Sequence, residues 1–170
     1  MGAGALRGRA GSILLLVAAF VVLLRPWESG TREEPPEAVA RVIRVVDGDT
    51  LEVRLDGQTE DVRLIGIDTP ETVDPGAPVQ CFGGRASRFT HRLLTGRRVR
   101  LIFGVERRDS YERLLAYVHL GPLFFNAELV RRGLARTLTI PPNSRFAERF
   151  ERLALGAARG GRGLWGSCPP

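Results

Sequence analysis

The 170-residue chain contains no lysine; each of its 25 basic residues is arginine. A planar guanidinium suits bidentate contacts with phosphate. The codon bias of a GC-rich genome explains the same absence together with the abundant alanine, glycine and proline, so arginine content alone carries no functional weight. Cysteine and histidine are scarce, at two residues each, and two thiols are too few for a cysteine metal cluster. His91 falls in mid-helix and His119 at a strand end, both away from the segments that carry chemistry below. They take surface or structural roles, which disfavours a mechanism with a histidine base. No internal repeat or low-complexity tract is present. The longest apolar run, Ile13 to Leu24, is twelve residues, or fifteen counted from Ala10, short of the ~20 that span a bilayer comfortably.

What is present points to one folded, basic domain with an address. At 44% hydrophobic and 26% charged residues, wholesale disorder is excluded, and a net charge of +6 favours polyanions such as nucleic acid or anionic lipid head groups. Arg7 and Arg9 precede the apolar run as in a secretory leader. No A-x-A-like cleavage site follows, since Arg25, Pro26 and Trp27 come next. Residues 1–30 therefore read as a signal peptide or an uncleaved signal anchor, with membrane association through residues 10–24 in the second case. Thr31 to Glu37 (TREEPPE) forms a charged, proline-containing linker, the domain runs over 38–166, and 167–170 is a tail. The chain is expected to be exported, either secreted or membrane-anchored with its domain outside the cytoplasm. There Cys81 and Cys168 can pair, tying the tail to the loop after GIDTPET and adding at most about 4 to 5 kcal/mol; two unpaired thiols are the alternative.

Within the domain, ARVIRVV (40–46), TLEVRL (50–55) and EDVRLIGI (60–67) read as short strands separated by Asp47-Gly48 and Asp56-Gly57. Asp-Gly favours tight hairpins, so an antiparallel meander is expected. A helix follows over about Arg85–Leu94 and ends at Gly96, then come strand-like runs at 98–103 and 113–119. Asn126 is a candidate N-cap for the helix AELVRR, closed by Gly133. Ser144 opens a last helix whose Phe146, Phe150, Leu153 and Ala157 recur at helical spacing and pack as core. The class is α+β, mainly β: an OB-fold five-stranded barrel with three helices, preceded by the hydrophobic leader.

Three separated segments end predicted strands: VDGDT (46–50), RLIGIDTPE (63–71) and DSYER (109–113). Each alone is compatible with an ordinary turn. Gathered at one rim, Asp49, Asp68 and the carbonyl of Thr69 would offer hard oxygen ligands to Ca²⁺, and Asp47 would hold one of the metal's waters. Glu71, set off by Pro70, would accept a proton from water. Arg63 needs an anionic partner, either a phosphate or a neighbouring aspartate, and Arg113 would supply a second guanidinium. Two arginines and a divalent cation around one phosphate suit phosphodiester hydrolysis.

The segments DGDT, RLIGIDTPET, YERLLAYV and NAELVRRGLA resemble, in order and spacing, the staphylococcal nuclease (thermonuclease-like) family, over about Ala38 to Trp165. The resemblance implies an OB-fold enzyme that cleaves DNA and RNA with Ca²⁺, and a monomer is expected. It implies metal ligands at Asp49, Asp68 and Thr69, catalytic residues at Arg63, Glu71 and Arg113, and a nucleotide contact at Tyr111. A non-catalytic, membrane-tethered barrel binding nucleic acid or protein is the alternative, against which the retained carboxylates and arginines argue. Two departures stand out. Glu112 occupies the position before the second catalytic arginine, where the family usually has glycine, and TLTIPPN (137–143) lacks the tyrosines that contact nucleotide in the family.

Overall fold

The computed structural model describes residues 1–2, 36–72 and 78–168. Residues 3–30 of the expected leader, residues 31–35 of the linker and the last two residues of the tail lie outside the described residues. Among the described residues no helix is long and apolar enough to cross a membrane.

Alternation of apolar and polar residues drives the first three strands. β1 (Glu37–Asp47), β2 (Thr50–Leu55) and β3 (Gln58–Leu64) form the expected antiparallel meander, with Val42, Leu51, Val53, Val62 and Leu64 turned into the core. β1 thus begins one residue before the expected domain start. Asp56 and Gly57 both take positive φ, the conformation of the hairpin turn that Asp-Gly favours. β5 (Arg98–Arg108) pairs with β1, β6 (Leu114–Leu120) pairs with β5, and a parallel pairing of β3 with β6 closes the ring. The five strands β1, β2, β3, β5 and β6 make the barrel, and a closed ring leaves no long edge to aggregate.

The run EDVRLIGI is not one strand. It breaks at Gly66, whose φ is +80° and where an added Cβ would lie 2.5 Å from Phe150 Cε2. Beyond the break, β4 (Gly66–Asp68) leaves the barrel and pairs antiparallel with β8 (Arg136–Leu138). The bend lets Asp68 return towards Arg63 at the end of β3.

α1 (Gly83–Leu94) starts two residues earlier than expected and buries Ala86, Phe89 and Leu94. A short strand, β7 (Leu123–Phe124), extends β6, and α2 (Phe125–Arg131) follows directly. Asn126 is not its N-cap; Phe124 holds that place. Asn126 is instead fully buried, accepting from the Val118 amide and donating to the Ile65 carbonyl, both at 2.9 Å. One side chain thereby ties α2 to β6 and to the bend after β3. α3 (Ala147–Arg159) packs Phe150 and Ala157 inward, and a one-turn α4 (Leu164–Ser167) precedes Cys168, which is disulfide-bonded to Cys81. α4 is additional to the three expected helices.

Two stability predictions follow from the backbone. Asn126→Ala strands two buried backbone groups, each worth about 1–3 kcal/mol when unpaired; urea unfolding should show a loss of about 2 to 4 kcal/mol. Glu112, in the β5–β6 turn, has φ +63°, where a Cβ is disfavoured by about 1–2 kcal/mol. Glu112→Gly should therefore raise stability by about 1 kcal/mol after its greater unfolded-state entropy is counted, read from the same urea curves; an unchanged or lower midpoint would count against strain at this residue.

Candidate active site

Strand register places Arg63 between the chain segments that matter. It pairs with Thr50 of β2 on one side and Leu115 of β6 on the other, so its side chain stands between the β1–β2 turn and the β5–β6 turn. Gly48 lets the loop after β4 approach: a Cβ there would lie 2.7 Å from Thr69 Oγ1. With that space open, the Thr69 amide and hydroxyl both donate to Asp49 Oδ2, at 2.6 and 2.9 Å, and the Thr50 hydroxyl donates to Oδ1 at 3.2 Å.

Arg63 bridges two carboxylates. Its Nη2 donates to Asp68 Oδ1 at 2.8 Å, and Nη1 lies 2.5 Å from Asp49 Oδ2 as an ion pair without the alignment of a directed hydrogen bond. Neighbouring aspartates, one of the two kinds of anionic partner the sequence allows, thus meet it at both Nη atoms. Asp49 is buried, and Arg63 nearly so, whereas the Asp68 side chain is half-exposed. Partial desolvation nevertheless raises the Asp68 pKa, against the opposing pull of Arg63.

Asp47 is buried and accepts from the Gly48 amide at 2.7 Å and the Thr72 hydroxyl at 2.6 Å. Burial pushes its pKa up to about 6; those two donors resist the rise, and a hydrogen bond and like charge from Glu71 add to it. Glu71 accepts from the Thr72 amide at 2.8 Å, and its own amide donates to Gln80 Oε1 at 3.1 Å. At the third segment, Arg113 Nε donates to Asp109 Oδ2 at 2.8 Å, with Nη2 at 2.7 Å from the same oxygen. Asp109 also accepts from the amides of Tyr111 and Arg113. Burial alone would raise the Asp109 pKa, but these donors together hold it below the ordinary carboxylate range.

Asp47, Asp49, Arg63, Asp68, Glu71 and Arg113, together with Thr69, line one cavity of about 140 Å³. Arg63 and Arg113 also border an adjoining cavity of about 310 Å³ with a partly apolar wall that includes Ile67, Leu115, Leu138 and Ile140. Tyr111 lines neither cavity; it is 78% exposed, with the Arg113 guanidinium 5.3 Å from its ring centroid. His91 is exposed on α1, and His119 stacks on Phe124 at 4.6 Å. Asp109 and Thr72 were not singled out from sequence. The four-residue spacing of Asp109 and Arg113 is a readable ion-pair signal, whereas nothing local marks Thr72 as the partner of Asp47, 25 residues away.

Among the described residues no three His, Cys, Asp or Glu side chains form a metal cluster. Asp49, Asp68 and the Thr69 carbonyl nevertheless fit a hard cation by their chemistry, since carboxylate and carbonyl oxygens are the donors such an ion takes and the three residues line one cavity.

Comparison with known proteins agrees with this architecture. The family model for "Staphylococcal nuclease homologue" matches residues 61–167. The chain is 41% identical over 160 residues to a thermonuclease of Staphylococcus hyicus, covering 90% of this chain and 95% of the relative. It is 42% identical to the thermonuclease of Staphylococcus intermedius with the same coverage. Endonuclease YncB of Bacillus subtilis (strain 168) is 38% identical over 109 residues, covering 63% of this chain and 52% of the relative. Barrel, rim and relatives together lead to one conclusion: the chain belongs to the staphylococcal nuclease family.

Proposed function

We propose that the chain is an exported, Ca²⁺-dependent nuclease that hydrolyses phosphodiester bonds of DNA and/or RNA at the cavity around Arg63. Family membership carries the coarser part: the chain is a nuclease that hydrolyses phosphodiester bonds. The observation that supports the finer part is the convergence of two guanidiniums and four carboxylates on one small cavity. A module that only binds a strand has no need of buried aspartates beside its phosphate-binding arginines.

In this reading Glu71 accepts a proton from the attacking water, its carboxylate oriented by the Thr72 amide and its loop held to Gln80. Arg63 and Arg113 bind the phosphoryl oxygens, where negative charge builds up as the water adds. Asp109 uses Nε and one Nη2 proton of Arg113, which fixes the guanidinium plane and leaves its remaining N–H groups for phosphate. Asp49, Asp68 and the Thr69 carbonyl would hold Ca²⁺, with Asp47 orienting a water beside it. When bound, the ion supplies a Lewis acid that polarises a phosphoryl oxygen. Tyr111 is proposed to touch the nucleotide from its exposed position beside Arg113. The export part of the proposal is supported by the leader sequence and by the Cys81–Cys168 disulfide, a bond that persists in oxidising compartments. Residues 10–24 would hold the chain at a membrane if the leader is retained, and the domain would act as a monomer.

Purified protein should degrade single-stranded DNA when Ca²⁺ is present and stop when EGTA is added; unimpaired cutting in excess EGTA would remove the metal from the mechanism. Arg113→Lys should lower kcat by roughly 10²-fold or more, because a point charge cannot hold Asp109 and phosphate with one rigid fork. Near-parental turnover in that variant would put Arg113 outside the chemistry.

A further inference from the structure

A groove of about 600 Å³ runs between α1, the end of α2 and the loop before α4. Arg85, Arg88 and Arg92 line one wall, at the i, i+3, i+7 spacing of a single helical face. Arg131, Arg132 and Arg162 line the other, and no acidic side chain contributes to either. Glu128 pairs with Arg131 and Arg132; Arg85, Arg88, Arg92 and Arg162 have no carboxylate partner among the described residues. Codon bias explains why these residues are arginine rather than lysine. It does not explain why six of them share one groove whose lining, among the described residues, includes no acidic side chain. Such crowding of like charge opposes folding unless a polyanion relieves it.

The groove is also built to hold its guanidiniums still. Arg85 lies over the Phe82 ring at 4.8 Å, and Arg132 and Arg92 lie over Phe89 at 4.8 and 5.7 Å. Stacking on the ring face pins each plane and leaves its N–H edge for an anion. Arg162 Nε donates to the Arg131 carbonyl at 3.0 Å, and the disulfide joins Cys81, beside Phe82, to Cys168 after α4. Both walls are thus tied together. The opposite side of α1 serves the catalytic cavity: a Cβ on Gly83 would meet the Pro70 and Glu71 carbonyls at 2.8 and 2.9 Å, and the Thr90 hydroxyl donates to the Gly48 carbonyl at 2.7 Å. One helix therefore borders the catalytic loops and the groove.

We propose that this groove is a second binding site for the phosphodiester backbone of single-stranded nucleic acid, holding the part of a substrate strand that lies outside the catalytic cavity. The identity of the ligand rests on the nuclease reading. Recognition is of phosphate rather than base, because Phe82 and Phe89 are covered by arginines and unavailable for base stacking. A membrane surface fits less well, because the apolar residues of the groove, Phe82, Phe89 and Leu134, are at most partly exposed and cannot insert.

The test uses the full chain with its disulfide intact. Binding of a fluorescent 20-nucleotide oligothymidylate is followed by anisotropy in EDTA, where cleavage is suppressed, over a range of salt. Replacing Arg85, Arg88 and Arg92 together by Ala should weaken Kd at least about tenfold and lower the log–log salt slope by about 2, at roughly 0.7 per lost phosphate contact on a single strand. With Ca²⁺ restored, cleavage of a dinucleotide, too short to leave the catalytic cavity, should stay within about twofold of the parent while KM for long single-stranded DNA rises. Unchanged Kd and slope would overturn the proposal, as would a loss on the dinucleotide equal to that on long DNA. So would weakened binding to phosphatidylglycerol vesicles with oligonucleotide binding intact. If the triple variant does not fold, Arg88→Glu gives the same kind of readout from one exposed position, a weaker Kd with a slope lower by roughly 0.7. A parent protein that cuts no substrate but shows the arginine-dependent binding would overturn the nuclease reading and leave the groove standing.

Discussion

The bridge from Arg63 to Asp49 and Asp68 is the contact on which the rim depends. A nearly buried guanidinium is expensive to desolvate, and only close carboxylates with further donors offset that cost. Asp49 is correspondingly well supplied: Thr69 gives its Oδ2 two hydrogen bonds beside the ion pair, and Thr50 gives Oδ1 one. Each donor comes from a different segment, so the carboxylate cannot be satisfied unless the β1–β2 turn, the end of β3 and the loop after β4 meet. The closing pair β3–β6 is what brings Arg63 to that meeting point. Fold and site are therefore coupled through one charge cluster.

That cluster is not optimised for stability. Asp47 has a folded-state pKa of about 6, raised by burial, so between its ordinary carboxylate value and about 6 the folded state binds more proton than the unfolded chain. Stability then falls as pH rises through that window, and at neutral pH the buried carboxylate is a standing cost. A cavity with surplus carboxylate and raised pKa values at Asp47 and Asp68 is short of positive charge. Such a deficit is tolerable where a cation or a functional proton is to be accommodated.

The barrel was legible because its determinants are local. Alternation and two Asp-Gly steps specify three strands and their hairpins without reference to the rest of the chain. The break at Gly66 was not, since the reason for it is Phe150, far along the sequence on α3. Asn126 shows the same limit: its type and position match an N-cap, yet its partners are backbone groups of Val118 and Ile65, which only tertiary contact supplies. Glu112 lies between these cases. Its identity is plain in the sequence, but the reason a glycine suits that position is a backbone φ of +63°, and a dihedral is not written in side-chain pattern. The candidate site divides likewise. That the residues on strand ends and tight turns meet at one cavity was readable, whereas Thr72 and Asp109, which hydrogen-bond Asp47 and Arg113, acquire these contacts only from the neighbours that folding brings near.

The placement of α1 suggests why a small nuclease domain concentrates so much on one helix. Its glycine and threonine face must lie flat against the loops that carry Asp49 and Glu71, since a Cβ at Gly83 would press on the Pro70 carbonyl. The long side chains Arg85, Arg88 and Arg92 lie on the other face, and the helix end packs closely on the loops of the candidate site. Arginines on the outer face are then positioned by the same packing that positions the carboxylates. A strand gripped there would be held near Glu71 by the close packing of Gly83 on the Pro70 and Glu71 carbonyls. The disulfide completes the arrangement by holding the opposite wall to the start of the helix, so the spacing of the two walls depends on covalent and packing constraints rather than on the charge of the arginines.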